Sequence, residues 1–135
     1  EELPSIAGTR VLMAEDNDMN REITRFVLEN QGALVAAVTD GQQAVDAFAR
    51  SAPGSFDVVL MDVMMPVMDG LEATRRIRSM DRPDAKTVPI FALTANAFAD
   101  DQVLSRQAGM NEHISKPLDG PKLIKLIHWY SSGEN

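Results

Sequence analysis

Apolar residues fall into short dense runs separated by longer stretches in which they recur every three or four positions. The runs Arg10–Ala14, Ala33–Val38, Val58–Met61 and Val88–Leu93 have the length and β-branched character of buried strands. A shorter, mixed segment, Glu112–Ser115, reads as a fifth. The intervening stretches read as helices. From about Met19 to Gln31, Ile23, Phe26 and Val27 form an apolar side with Asn30, while Arg21, Glu22, Arg25 and Glu29 lie elsewhere. Asn17 or Asp18 is placed to cap that helix, and Gly32 to stop it. Thr39-Asp40-Gly41 opens a second helix reaching about Ser51, with Ala44, Val45, Ala47 and Phe48 as its stripe. A third follows Gly70, and a fourth, from about Phe98 to Ala108, has a thin stripe. The last, about Gly120 to Tyr130, offers Leu123, Ile124, Leu126 and Ile127 for burial. Arg82-Pro83-Asp84 reads as loop, and Pro89 stands at the start of its strand, where a missing N–H is tolerated.

Five strands alternating with five helices define an α/β chain. Each connection holds a helix, so the strands are parallel with right-handed crossovers. A doubly wound open sheet with helices on both faces is the expected architecture. Residues 1–9 read as a linker, 10–130 as one domain and 131–135 as a tail.

In such a sheet all strand carboxyl ends share one edge, where ligands bind. The sequence places Glu15 and Asp16 there after the first strand, Asp62 after the third, Thr94 after the fourth and Lys116 after the fifth. Three converging carboxylates repel one another and raise at least one pKa, which a divalent cation relieves. Mg²⁺ takes oxygen ligands and is usually held by one or two carboxylates plus phosphate. An ammonium and a hydroxyl beside a carboxylate suit phosphoryl transfer to a carboxylate nucleophile.

Composition narrows the field. The chain has 135 residues, no Cys and a formal net charge of −7. Disulfides and thiolate metal sites are excluded, which fits a reducing compartment. An acidic surface argues against direct nucleic-acid binding. No apolar run approaches a membrane span, and the first residues do not read as a signal peptide, so no direct membrane contact is expected.

Glu15-Asp16-Asn17, Leu60-Met-Asp62-Val-Met-Met-Pro66-Val-Met-Asp-Gly70, Leu93-Thr94-Ala95 and Lys116-Pro117 together resemble the receiver (CheY-like) domain of two-component response regulators, over about Arg10 to Tyr130. The resemblance implies a CheY-like, flavodoxin-like (βα)5 fold with strand order 2-1-3-4-5. It implies that Asp62 is the phosphoacceptor. Asp16 and Asp62 would contact Mg²⁺ (Mn²⁺ being an acceptable substitute) with the backbone carbonyl of Met64, and Glu15 would act through water. Thr94 and Lys116 would bind the phosphoryl group, and the Lys116–Pro117 bond would be cis. The implied partners are a histidine kinase dimerisation/phosphotransfer domain or a histidine phosphotransfer protein, met by a face including Met19, Asn20 and Ile23. The implied location is cytoplasmic, with room for a parent anchored in the inner membrane. The leader Leu3-Pro4-Ser5-Ile-Ala-Gly8 is similar to linkers preceding receivers in hybrid sensor histidine kinases, which implies an excised receiver of that kind.

The chain departs from the family pattern at His113, where an aromatic switch residue is usual. Imidazole is smaller and polar, so a weaker or pH-sensitive switch is expected, against a plain surface histidine. Met64 and Asn96 occupy positions that tune phosphate lifetime, and an apolar Met64 implies a long-lived aspartyl phosphate. Met61, Met64, Met65 and Met68 read as packing filler. His128, Trp129 and Tyr130 read as a partly buried helix end, and Asp100 and Asp101 as a solvated helix start. Three other readings compete. A haloacid-dehalogenase-like phosphatase needs a second Asp where Met64 stands. An FMN binder needs a Ser/Thr/Gly-rich loop where carboxylates stand. A pseudo-receiver would be an interaction module that is never phosphorylated.

Overall fold

The computed structural model describes residues 3–95 and 99–132. Asn96 and Phe98 therefore lie outside the described residues, and the side chains of Asp100 and Asp101 outside the described side chains.

The strands are β1 (Arg10–Ala14), β2 (Leu34–Val38), β3 (Val58–Asp62), β4 (Ile90–Thr94) and β5 (Glu112–Ser115). They form one parallel sheet in the order β2-β1-β3-β4-β5. The helices are α1 (Asp18–Glu29), α2 (Gly41–Arg50), α3 (Gly70–Arg78), α4 (Pro83–Thr87), α5 (Ala99–Ala108) and α6 (Gly120–Ser131). Among the described residues, side-chain caps open four of them. Asn17, Asp40, Asp69 and Asp119 each accept from a backbone N–H three residues on, at 2.8–3.1 Å. Asn17, Asp40 and Asp69 start the crossover helices that follow β1, β2 and β3, and Asp119 starts the last helix, α6.

The doubly wound sheet sorts its apolar residues by strand parity. Leu12, Ala14, Val59, Met61, Ile90 and Ala92 face α2, α3 and α4, packing with Phe48, Ala73, Ile77 and Ala85. Val11, Met13, Val58, Leu60, Phe91 and Leu93 face α1 and α6, packing with Leu28, Leu123 and Ile127. Every residue of the central strands β3 and β4 is buried, so Asp62 and Thr94 close strands that are dry along their length.

Four expectations are corrected. Arg82-Pro83-Asp84 is not plain loop but the start of a sixth, short helix, α4. Pro83 carries the fixed φ of a first helical turn, and Arg82 fastens it through Asp84 (2.7 Å) and the carbonyls of Phe48 and Ser51. In α1, Ile23 and Phe26 are exposed and the helix buries Thr24 and Leu28. That helix carries two apolar stripes, and periodicity cannot choose which one the sheet covers. β4 begins at Ile90, with the Pro89 carbonyl still accepting from Val59 N at 2.8 Å. The leader, expected as a linker, is tied to the fold: Ile6 is buried beside Leu28 and Ile127, Gly8 N bonds Gly32 O at 2.8 Å, and His128 Nδ1 meets Ser5 O at 3.0 Å. No described helix is long and apolar enough to cross a membrane.

Candidate functional site

β1 and β3 are neighbours in the sheet, with Ala14 beside Met61. The residues that leave the two strand ends therefore meet. Glu15, Asp16 and Asp62 each bring a carboxylate oxygen into a group spanning no more than 4.8 Å. Glu15 and Asp62 are buried, and Asp16 is exposed at the mouth. Lys116, just past β5, reaches across with Nζ 2.9 Å from Glu15 Oε1 and 2.9 Å from Asp62 Oδ2. Its N–H bonds the Thr94 carbonyl at 2.7 Å, and the Lys116–Pro117 peptide is cis.

Both carboxylate oxygens of Glu15 and of Asp62 have a partner. Glu15 Oε2 accepts from Asn17 N at 3.1 Å, and Asp62 Oδ1 from Met64 N at 3.3 Å. Thr94 is buried and follows Leu93, the register partner of Asp62. The Met64 side chain stands out at the rim, 76% exposed. The loop from β3 to α3 is folded back on the cleft by Gly70, where a Cβ would sit 2.2 Å from the Asp62 carbonyl oxygen. Within that loop Met68 N bonds Pro66 O at 2.7 Å, and Val67 takes a positive φ of 68°.

The electrostatics follow from this packing. Burial, together with the Glu15 carboxyl, pushes Asp62 up to about 7 against the pull of Lys116. Burial also acts to raise Glu15, but its hydrogen bonds with Asp62, Lys116 and the Asn17 N–H outweigh that and hold it below its ordinary value. Lys116 is desolvated, yet its two carboxylate partners raise it above the ordinary lysine value. Burial and their mutual contact thus drive the two carboxyls apart, Asp62 upward and Glu15 downward. Such an arrangement can lose its proton to solvent when a cation binds and present a carboxylate to an electrophile beside an ammonium.

Glu15, Asp16, Asp62 and Lys116 converge at the strand ends, with Thr94 at the same edge. His113 lies apart on the α5 side, its Nδ1 3.3 Å from Ser105 Oγ. Two residues that the sequence reading left out of the site hold its first loop. Asn17, expected only as a cap, also binds the Glu15 carboxylate. Arg21, expected as helix surface, donates to the Glu15 carbonyl at 3.0 Å and to Asp18 at 2.6 Å. The only sequence signal for Arg21 was its place one turn into the helix after the acidic run.

Comparison with known proteins gives one family. The response regulator receiver domain profile matches residues 11–128. The chain is 36% identical over 146 residues to probable histidine kinase 2 of Oryza sativa subsp. indica, spanning all of this chain and 14% of that protein. It is 41% identical over 119 residues to the transcriptional regulatory protein CseB of Streptomyces avermitilis, covering 88% of this chain and 47% of that one. Among solved structures it is similar to the receiver domain of a Pseudomonas aeruginosa sensor histidine kinase, which carries a magnesium ion in its active-site cleft. The TM-score is 0.84 and the identity 38%, over 94% of this chain and 100% of that one.

Proposed function

Because the chain belongs to the response regulator receiver domain family of two-component systems, we propose that it accepts a phosphoryl group from a phosphohistidine onto Asp62. It then either changes the surface formed by α5, β5 and α6 or passes the group on. The observation that carries this reading is the buried Asp62 carboxylate, 2.9 Å from Lys116 and grouped with Glu15 and Asp16 at the strand ends. Residues 10–130 form the receiver unit in this reading.

The donor set fits a hard divalent cation, since it is all oxygen and anionic. Asp16, Asp62 and the Met64 carbonyl would hold Mg²⁺, with Glu15, already engaged by Lys116 and Asn17, acting through water. When bound, the ion supplies positive charge against the carboxylates and the transferring group. Asp62 gives up its proton and attacks phosphorus in line. The new O–P bond forms as the N–P bond breaks, and the electron pair returns to the imidazole nitrogen, which takes a proton from solvent. Lys116 pairs with a phosphoryl oxygen, and Thr94 donates its hydroxyl to another. Catalysis is positioning and electrostatics.

Thr94, drawn to the phosphoryl group, leaves room toward which His113 turns, and the α5–β5–α6 face changes its binding preference by population shift. Met64 presents no group that orients water, so the aspartyl phosphate outlasts the scale of seconds. The donor is a histidine kinase dimerisation/phosphotransfer domain or a histidine phosphotransfer protein. Met19, Ile23 and Phe26 support this, exposed at 72%, 50% and 69% along one stripe of α1. A cytoplasmic location follows from such a donor.

The test is labelling with acetyl phosphate and Mg²⁺, read as one phosphate gained in intact mass and lost to hydroxylamine. Wild type should label only with Mg²⁺, and Asp62→Asn not at all. Equal labelling of Asp62→Asn would sink the assignment.

A further inference from the structure

Glu15 is the first residue beyond β1, and its backbone is held from two sides. Its N–H bonds Val38 O at 3.1 Å, continuing the link to β2. Its carbonyl has left the ladder and accepts instead from Arg21 Nη1 at 3.0 Å. Arg21 is a largely buried side chain, 15% exposed, whose other η nitrogen binds Asp18 at 2.6 Å. A guanidinium does both with one rigid fork, which an ammonium cannot.

The peptide plane fixed by that carbonyl bond is the one joining Glu15 to Asp16. Rotation of this plane would swing the Cα–Cβ bond of Asp16. Glu15 would feel this less, because its carboxylate is pinned by Lys116 and Asn17 N. Among the described residues, no side chain bonds the Asp16 carboxylate, so its aim depends on the backbone beneath it.

We infer that Arg21 is a positioning residue that aims Asp16 into the cleft by fixing the Glu15–Asp16 peptide plane, and so raises the affinity of the acidic group for a divalent cation. The inference rests on reading the cleft as a divalent-cation and phosphoryl site. Arg21 touches neither Asp62 nor the transferring group. Its loss should therefore act on metal affinity and not on the chemical step once metal is saturating.

The experiment is calorimetric titration of the full chain with Mg²⁺, for wild type, Arg21→Gln and Arg21→Lys, paired with labelling rates at saturating Mg²⁺. Arg21→Gln should bind Mg²⁺ about tenfold more weakly, the lower end of what groups that orient metal ligands contribute. Its labelling rate at saturating Mg²⁺ should stay within about twofold of wild type, as expected when only binding is lost. A general loosening of the fold would depress both. Unchanged Mg²⁺ affinity in Arg21→Gln, or a rate that stays low at saturating metal, overturns the inference. If Arg21→Gln does not fold, Arg21→Lys decides. It keeps one donor, so a loss of about threefold supports the inference and wild-type affinity overturns it. A wild-type chain that binds no Mg²⁺ would instead sink the reading of the cleft.

Discussion

Lys116 Nζ stands 2.9 Å from Asp62 Oδ2, and the same nitrogen stands 2.9 Å from Glu15 Oε1. One ammonium thus serves two buried carboxylates that come from strands adjacent in the sheet but 47 residues apart in the chain. Removing it leaves both acids without their cation. Lys116→Met should lower stability by about 1–3 kcal/mol at pH 8, the range for stranding a buried polar partner. The loss should be smaller at pH 6, where Asp62 carries its proton. Urea midpoints at the two pH values test this, and a larger loss at pH 6 would contradict it.

Asp62 has a folded-state pKa of about 7, above its ordinary 3.8. A raised carboxyl contributes stability that is fully present below its unfolded pKa and is lost as pH rises through the folded value. Without Mg²⁺, stability should therefore fall between about pH 4 and pH 7, and Asp62→Asn should flatten that fall. Urea unfolding across this range measures both curves. The same proton must leave when a cation binds, so Mg²⁺ affinity should rise with pH and level off above about 7.

Val67 is a β-branched, 83% exposed residue at φ 68°, in the left-handed region that only glycine enters freely. Val67→Gly should stabilise the chain by about 0.5–1 kcal/mol, the relieved strain of roughly 1–2 kcal/mol less the added chain entropy of glycine. Thermal melts decide the sign. Gly70→Ala is the opposite case. Its Cβ would lie 2.2 Å from the Asp62 carbonyl oxygen, so it should cost about 2 kcal/mol or more and weaken Mg²⁺-dependent labelling together with stability.

Tyr130 joins α6 to β5. Its hydroxyl donates to Glu112 Oε2 at 2.6 Å, and its ring meets Phe91 edge-on. Burial and the Glu112 carboxylate push the phenol up to about 12. A raised phenol contributes stability that is whole below pH 10 and disappears as pH climbs toward 12. Ultraviolet titration should place the tyrosinate transition near the upper value, and Tyr130→Phe should lose about 1 kcal/mol at neutral pH, as for one hydrogen bond.

Much of this molecule was written into local sequence. Short apolar runs that meet a carboxylate mark β1 and β3 and their ends, because an ionised group is costly inside a dry strand. Asn17, Asp40, Asp69 and Asp119 mark helix starts, because each has an oxygen within reach of a free N–H. With the ends of the fourth and fifth runs at Thr94 and Lys116, those signals put Glu15, Asp16, Asp62, Thr94 and Lys116 at one edge of a parallel sheet. What the chain order could not decide was set by contacts across it. Which stripe of α1 turns inward depends on the packing of Leu28 against the sheet and α6, not on the helix's own period. Ile6 is buried because α1 and α6 leave it a place, a fact invisible in a leader rich in small residues. Arg21 became part of the acidic loop only when the Glu15 carbonyl left the ladder and needed a donor. Residue types fixed where charge could sit; the fold decided which backbone and which neighbours hold it there.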